Sequence, residues 1–284
     1  MSFKNWMILA LFFLFILLYE HLTINYSPST SFLLNLQSLG YIDKKLDLST
    51  DPGNFLSFTY GIVGFVIMLF TNFYIIRKRV SFLKSLGNLT HWLNLHIFFG
   101  VLGPIFIIFH SDFKVRGIVS ISFWSMIIAA SSGFVGRYFY INAAKKQKEY
   151  MEMVDNAITD LKRAVPKDKE SDKDFLKGIV AKGFAYMGGT DGEERVSFAG
   201  LPMFVMKSMF GDLKVALGVS VIKEYRGTSL DTRLKYVSKL KRNVVYQDTY
   251  RRLLSYWHTF HLPFTFFMYV TAVIHIISSL IFKV

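Results

Sequence analysis

The chain contains no cysteine. This excludes an iron–sulfur cluster held by thiolates, covalent haem attachment through C-x-x-C-H, and any disulfide framework. No G-x-G-x-x-G occurs between residues 141 and 256, so that stretch carries no dinucleotide fingerprint. The run Gly188-Gly189-Thr190-Asp191-Gly192 reads as a turn. It lacks the preceding strand and the Lys-Ser/Thr that a phosphate loop needs.

Acidic residues are few, 20 against 33 Lys and Arg, giving a formal net charge of +13. A nucleic-acid partner is not implied, because no reader motif accompanies the charge. Residues 141–256 hold 22 Lys and Arg mixed with 15 Asp and Glu, a surface suited to the cytoplasmic side of a membrane and its anionic headgroups. Neither 89–110 nor 257–282 contains an Asp or Glu. Zinc and proton sites ordinarily add carboxylates, so their absence there weighs against both.

What the chain has in abundance is apolar surface. It is 52% hydrophobic and 17% aromatic, with 29 Phe and a mean hydropathy of +0.35, which places it among integral membrane proteins. The pattern predicts an all-α bundle of about five transmembrane helices with a helical cytoplasmic insert. Trp6–Leu22 is a first span, expected to be retained because no A-x-A cleavage pattern follows it. Residues 23–53 are polar and read as a loop. Phe55–Ile76 is the second span, with Gly61 and Gly64 as a close-packing face, and it stops at Arg77-Lys78-Arg79. That cluster, with Lys84, places the following loop inside by the positive-inside rule. The third span, Thr90–His110, then runs outward, Ser111–Gly117 is an outer turn, and Ile118–Tyr140 returns inward.

The insert begins with an amphipathic helix carrying Met151, Val154, Ile158, Leu161 and Val165 at helical spacing and ending at Pro166. KDKESDKD at 167–174 reads as a solvated linker. Leu201–Ile222 is long and apolar, but Lys207, Asp212 and Lys214 lie near its middle. Each costs about 2.5–3.5 kcal/mol at a bilayer centre, so the segment is expected at the interface or against the bundle. A sixth span there would make the third and last spans antiparallel. Leu230–Tyr256 is a basic helix, and Trp257–Phe282 is the final outward span. The expected divisions are therefore 1–140, 141–256 and 257–284.

The functional signal lies in two of these spans. LHIFFGVLGPIFIIFH holds His96 and His110, and HLPFTFFMYVTAVIH holds His261 and His275, fourteen residues apart in each case. Ionisable side chains inside a membrane segment mark functional sites. Fourteen residues separate two rings by roughly 21 Å along a helix and return the second to within about 40° of the first. Two such helices running in the same direction supply two imidazoles at each of two depths. Neutral imidazole is an axial ligand for haem iron, and the macrocycle brings its own four nitrogens. With cysteine absent, any haem is non-covalent and b-type. Gly103, midway between His96 and His110, leaves room for a planar group, and Met268 is its counterpart on the other helix. Arg137, at the inner end of its span, reads equally as a snorkelling anchor or as the partner of a haem propionate. His91 and His258 do not share the fourteen-residue frame, and His21 reads as an interfacial histidine.

These residues resemble the ferric-reductase-like transmembrane domain, whose third and fifth helices carry paired histidines for two b haems. HIFFGVLGPIFIIFHSDF, SSGFVGRYFY and YWHTFHLPF are also similar to segments of bacterial inner-membrane b-type cytochromes. The resemblance covers roughly 90–140 and 245–282. It implies two haem b, with His96, His110, His261 and His275 ligating haem iron, and transmembrane electron transfer as a possible membrane subunit of an oxidoreductase. The sequence departs from the reductase pattern beyond the last span, where only Lys283 and Val284 follow, so the expected donor is a redox partner protein docked on the insert, or quinol from the bilayer, with an acceptor outside. The alternatives are a non-redox transporter or haem or metal carrier using intramembrane histidines, and a structural bundle whose histidines are satisfied internally.

Overall fold

The computed structural model describes residues 2–117, 119–143, 147–166, 173–189 and 196–282. Most of the linker expected at 167–174, residues 190–192 of the glycine turn, Lys283, Val284 and the side chain of Lys84 lie outside the described residues. Among those described, the chain is all-α. Five helical stretches are long and apolar enough to cross a membrane: Phe3–Tyr26, Phe55–Arg79, Leu89–His110, Val119–Ala143 and Gln247–Ile281. Leu201–Ala216 is a separate 16-residue helix outside that set. The chain divides into two compact units, residues 1–137 with 259–284, and residues 138–258.

The first unit is organised on α5 (Leu89–His110). Its helix starts at Asn88, whose side chain accepts the Thr90 N–H. It is flanked by α1 (Phe3–Tyr26) and α3 (Phe55–Phe70). Leu17 of α1 packs with Ile105 and Phe109, and Ala10 with Phe98 and Leu102. Lipid is as apolar as these side chains, so close backbone approach has to supply much of the helix association. Gly64 and Gly103 provide it: a Cβ on Gly64 would lie 3.0 Å from the Gly103 carbonyl oxygen, and one on Gly103 would lie 2.5 Å from Met68 Cγ.

The second span is not one continuous helix. It breaks at Thr71-Asn72 and resumes as α4 (Phe73–Arg79). Polar backbone inside a membrane must find partners within the protein. Here the Thr71 hydroxyl and the Tyr269 hydroxyl both donate to the Met68 carbonyl, each at 2.7 Å, and Asn72 Nδ2 donates to Tyr269 at 3.0 Å. The region expected to be a polar loop at 23–53 contains a short helix, α2 (Phe32–Ser38). The buried Glu20 of α1 accepts from the Ser31 hydroxyl and from the backbone N–H groups of Phe32 and Leu33. The turn after α5 is tight, with Asp112 and Phe113 both at positive φ. α6 (Val119–Ala143) and α11 (Gln247–Phe282) supply the remaining walls through residues 119–137 and 259–282. Met126 of α6 and Met268 of α11 are buried with Met68 in one cluster.

The second unit packs α7 (Gln147–Arg163), α8 (Lys173–Tyr186) and α10 (Ser229–Val245) around Leu161, Leu234 and Val237. Met151, expected on the inner face of α7, is exposed. Tyr150, Val154, Ala157 and Leu161 form the inward stripe instead, and Met151 lies about 100° round the helix from Tyr150. Helix α9 (Leu201–Ala216) buries Leu201, Phe204, Ser208 and Gly211. The long basic helix expected over 230–256 is two helices, parted at Tyr246. Arg242 is fully buried. Its guanidinium donates to Asp212 at 2.9 Å and to the carbonyls of Ser208 and Met187 at 3.0 and 3.3 Å. Burial alone pushes the Asp212 carboxyl up, but the charges and hydrogen bonds of Arg242 and Lys239 outweigh it and hold the group below its ordinary value.

Candidate functional site: two histidine pairs in one bundle

α5 and α11 bring the four histidines together as two pairs at different depths. The rings of His110 and His275 lie 6.3 Å apart between centroids, tilted by 59°. Two metal–imidazole bonds of about 2 Å each, with each ring nitrogen a little over an ångström from its ring centre, add up to roughly the same separation. His96 and His261 line one narrow apolar cleft of about 60 Å³, whose walls include Gly100, Pro104, Ala129, Gly133 and the three clustered methionines. A Cβ built on Gly100 or Gly133 would meet nothing within 4 Å, so the cleft is open along both.

The hydrogen bonds fix how each imidazole is presented. His96 Nδ1 lies 2.9 Å from the Thr71 carbonyl and His110 Nδ1 lies 2.8 Å from the Ser57 carbonyl. A carbonyl only accepts, so both nitrogens carry the proton. The Ser132 hydroxyl donates to the Ala129 carbonyl at 2.9 Å, so at 2.7 Å it accepts from His261 Nδ1. Three of the four rings are thereby set in one tautomer, with the Nε2 lone pair unprotonated. A protein oxygen behind the far nitrogen is the usual way to orient a metal-ligating histidine. Thr71 can serve because, among the described residues, the helix break at 71–72 leaves its carbonyl with only a long 3.3 Å backbone bond from Tyr74 N. The Ser57 hydroxyl also donates to the His110 carbonyl at 2.7 Å, tying both ends of that residue to α3.

Arg137 stacks on Phe3, with Cζ 3.8 Å from the ring centroid, and its Nη1 is buried without a partner among the described residues. It follows Gly133 by one helical turn, or about 6 Å along α6, on the side that lines the cleft. An anionic substituent on a group held there would supply the missing acceptor.

Gly103 is placed differently from the expectation that it admits a planar group. It faces Met68 and Gly64 in the α3–α5 contact and does not line the cleft. Gly100, one turn earlier, is the glycine that does. Met268 lines the cleft and is buried against Met68 and Met126. His91 and His258 are exposed and belong to neither pair. His21 pairs with Asp112 at 3.5 Å, and Lys114 meets Asp112 at 2.7 Å. Among the described residues no group of three His, Cys, Asp or Glu side chains could hold a metal ion.

Sequence reasoning did not find the residues that orient the rings. Ser57 and Ser132 are ordinary helix residues, Thr71 sits at a helix break that the sequence does not announce, and Ser57 and Thr71 act through backbone oxygens that carry no side-chain signature. Gly61 was legible as a packing residue only. A Cβ there would lie 2.8 Å from His110 Nδ1, so its missing side chain is what seats the ring.

Comparison with protein-family models, with curated proteins and with solved structures gives no match to this chain.

Proposed function

We propose that this chain is a bis-histidine dihaem b-type cytochrome that carries electrons across a membrane, similar in plan to the ferric-reductase-like domain and seated in a bacterial cytoplasmic membrane. One observation supports this above the others: paired imidazoles at two depths, three of them with Nδ1–H committed to a protein oxygen, which puts the unprotonated nitrogen at Nε2. His96 and His261 are the residues to hold one haem, and His110 and His275 the other. Bound there, two haems would each accept and release one electron, dividing the roughly 30 Å hydrocarbon thickness into short steps. Thr71, Ser57 and Ser132 hold the ring orientations. The methionines and alanines keep water from the inner site, Gly100 and Gly133 leave space, and Arg137 is placed to meet a propionate. The donor on this reading is a protein docked on the basic 138–258 unit or a quinol from the bilayer, with an acceptor on the outer side.

A non-redox carrier of a bare metal ion is less well supported. Among the described residues no third protein ligand joins either pair, whereas haem needs only the two axial nitrogens.

The test is the optical and electron paramagnetic resonance spectrum of haem-replete purified protein, with extracted haem counted per chain. Two low-spin b haems are expected. Each single His→Ala change at 96, 110, 261 or 275 should remove one axial ligand and convert or empty one site, while changes at His91 and His258 leave both spectra intact. Fewer than one haem per chain in the parent protein would sink the reading.

A further inference from the structure

We infer that a groove between α1, α2 and the start of α3 binds a quinone or hydroquinone headgroup, an assignment that rests on the electron-transfer reading above. The groove has a cavity volume of about 550 Å³ and its lining is overwhelmingly apolar, with Phe12, Phe15, Phe32 and Leu56 among the walls. Glu20 and Tyr60 bring polar groups to it. A largely apolar pocket with a few convergent polar groups is the general form of a small-ligand site.

The two polar groups narrow the ligand class. The Tyr60 ring packs edge-on against Phe106 at 6.0 Å, but its hydroxyl makes no hydrogen bond among the described residues. An acyl chain filling the groove would leave that hydroxyl unsatisfied in a hydrocarbon setting, which is costly. The ligand therefore carries oxygen at the depth of Tyr60. Glu20 already accepts from the Ser31 hydroxyl and from the N–H groups of Phe32 and Leu33. A carboxylate offers about four lone-pair sites, so it retains capacity for one more donor. Among the described residues no Lys or Arg lines the groove, and a phosphate head would find a carboxyl group there with no cation from these residues to meet it. A neutral ring is the better fit. A quinone oxygen can accept from Tyr60, the hydroxyl of the reduced form can donate to Glu20, and the flat ring can stack among the phenylalanines.

The groove also adjoins the outer histidine pair. Leu56 and Tyr60 line it, and the residues that follow each of them, Ser57 and Gly61, are those that seat His110. One turn of α3 thus presents one side to the groove and the other to the ring.

The experiment uses the full chain in nanodiscs of zwitterionic phospholipid, photolabelled with a short-chain azidoquinone, with sites mapped by mass spectrometry and haem counted on the same sample. Labelling is expected within 12–33 or 56–60, displaced by a short-chain unlabelled quinone and unaffected by excess phospholipid. Tyr60→Phe, which removes one oxygen and no packing, should weaken displacement about tenfold, the size of one hydrogen bond left unmade. Leu56→Trp should block labelling by filling the groove. Labelling elsewhere, labelling that unlabelled quinone cannot displace, or an unchanged affinity in Tyr60→Phe would overturn the assignment, even with two haems present. Displaceable groove labelling in a chain that binds no haem would support the site and sink the electron-transfer reading instead.

Discussion

Gly61 and His110 touch across the α3–α5 contact so closely that a Cβ on the glycine would stand 2.8 Å from Nδ1 and 2.9 Å from Cε1 of the imidazole. That Nδ1 is the atom held by the Ser57 carbonyl, one turn earlier on the same helix. Position 61 therefore decides whether the ring can stay where its hydrogen bond puts it.

Gly61→Ala should displace the His110 ring and break its bond to Ser57. We expect haem content to fall from two to one per chain, with the spectrum of the remaining site unchanged. Retention of two low-spin haems in this variant would show that the ring has another seat.

Gly133 gives the complementary case, because a Cβ there meets nothing within 4 Å. Gly133→Ala should insert and accumulate like the parent chain, whereas Gly133→Leu should occupy the cleft beside His96 and His261. The expected result is loss of one haem in the leucine variant at unchanged membrane yield. Equal haem content in both would remove the cleft from the reading.

In the 138–258 unit, Asp212→Asn leaves the buried Arg242 guanidinium without its counter-charge, and breaking a buried pair this way costs about 3 kcal/mol. Protease resistance of the unit at neutral pH should fall accordingly. The Asp212 carboxyl sits below its ordinary value of 3.8, so its contribution is complete above that value and is lost as pH falls through the lowered one. The gap between parent and variant should close in strong acid. A gap that widened below pH 4 would contradict the sign.

Helix α9 presents Met206, Phe210 and Leu213 outward, with Leu217 exposed just past its end, while Leu201, Phe204, Ser208 and Gly211 are buried. An apolar stripe beside Lys207 and Lys214 has the composition of a helix lying in the headgroup region. Because the chain lacks cysteine, Met206→Cys gives a single labelling site. We expect a fluorophore there to emit as in an apolar medium and to be quenched by nitroxide lipids. Water-like emission would place the stripe in solvent.

The linear chain by itself determined the all-α class, the apolar spans and the two histidine frames, because length, hydropathy and a fourteen-residue period are properties of consecutive residues. The charges at Lys207, Asp212 and Lys214 argue from sequence against a span over 201–222, and the helix found there, Leu201–Ala216, is 16 residues long and lies outside the set of spans. Tertiary structure decided which atoms hold the rings. The Thr71 carbonyl reaches His96 because the second span breaks at residue 71, and that break is held by Tyr269, nearly two hundred residues away. It also decided that Gly103 closes a helix contact while Gly100 opens the cleft. Both are glycines one turn apart on α5, and nothing local separates them; the difference lies in whether Met68 of another helix or empty space faces the missing Cβ.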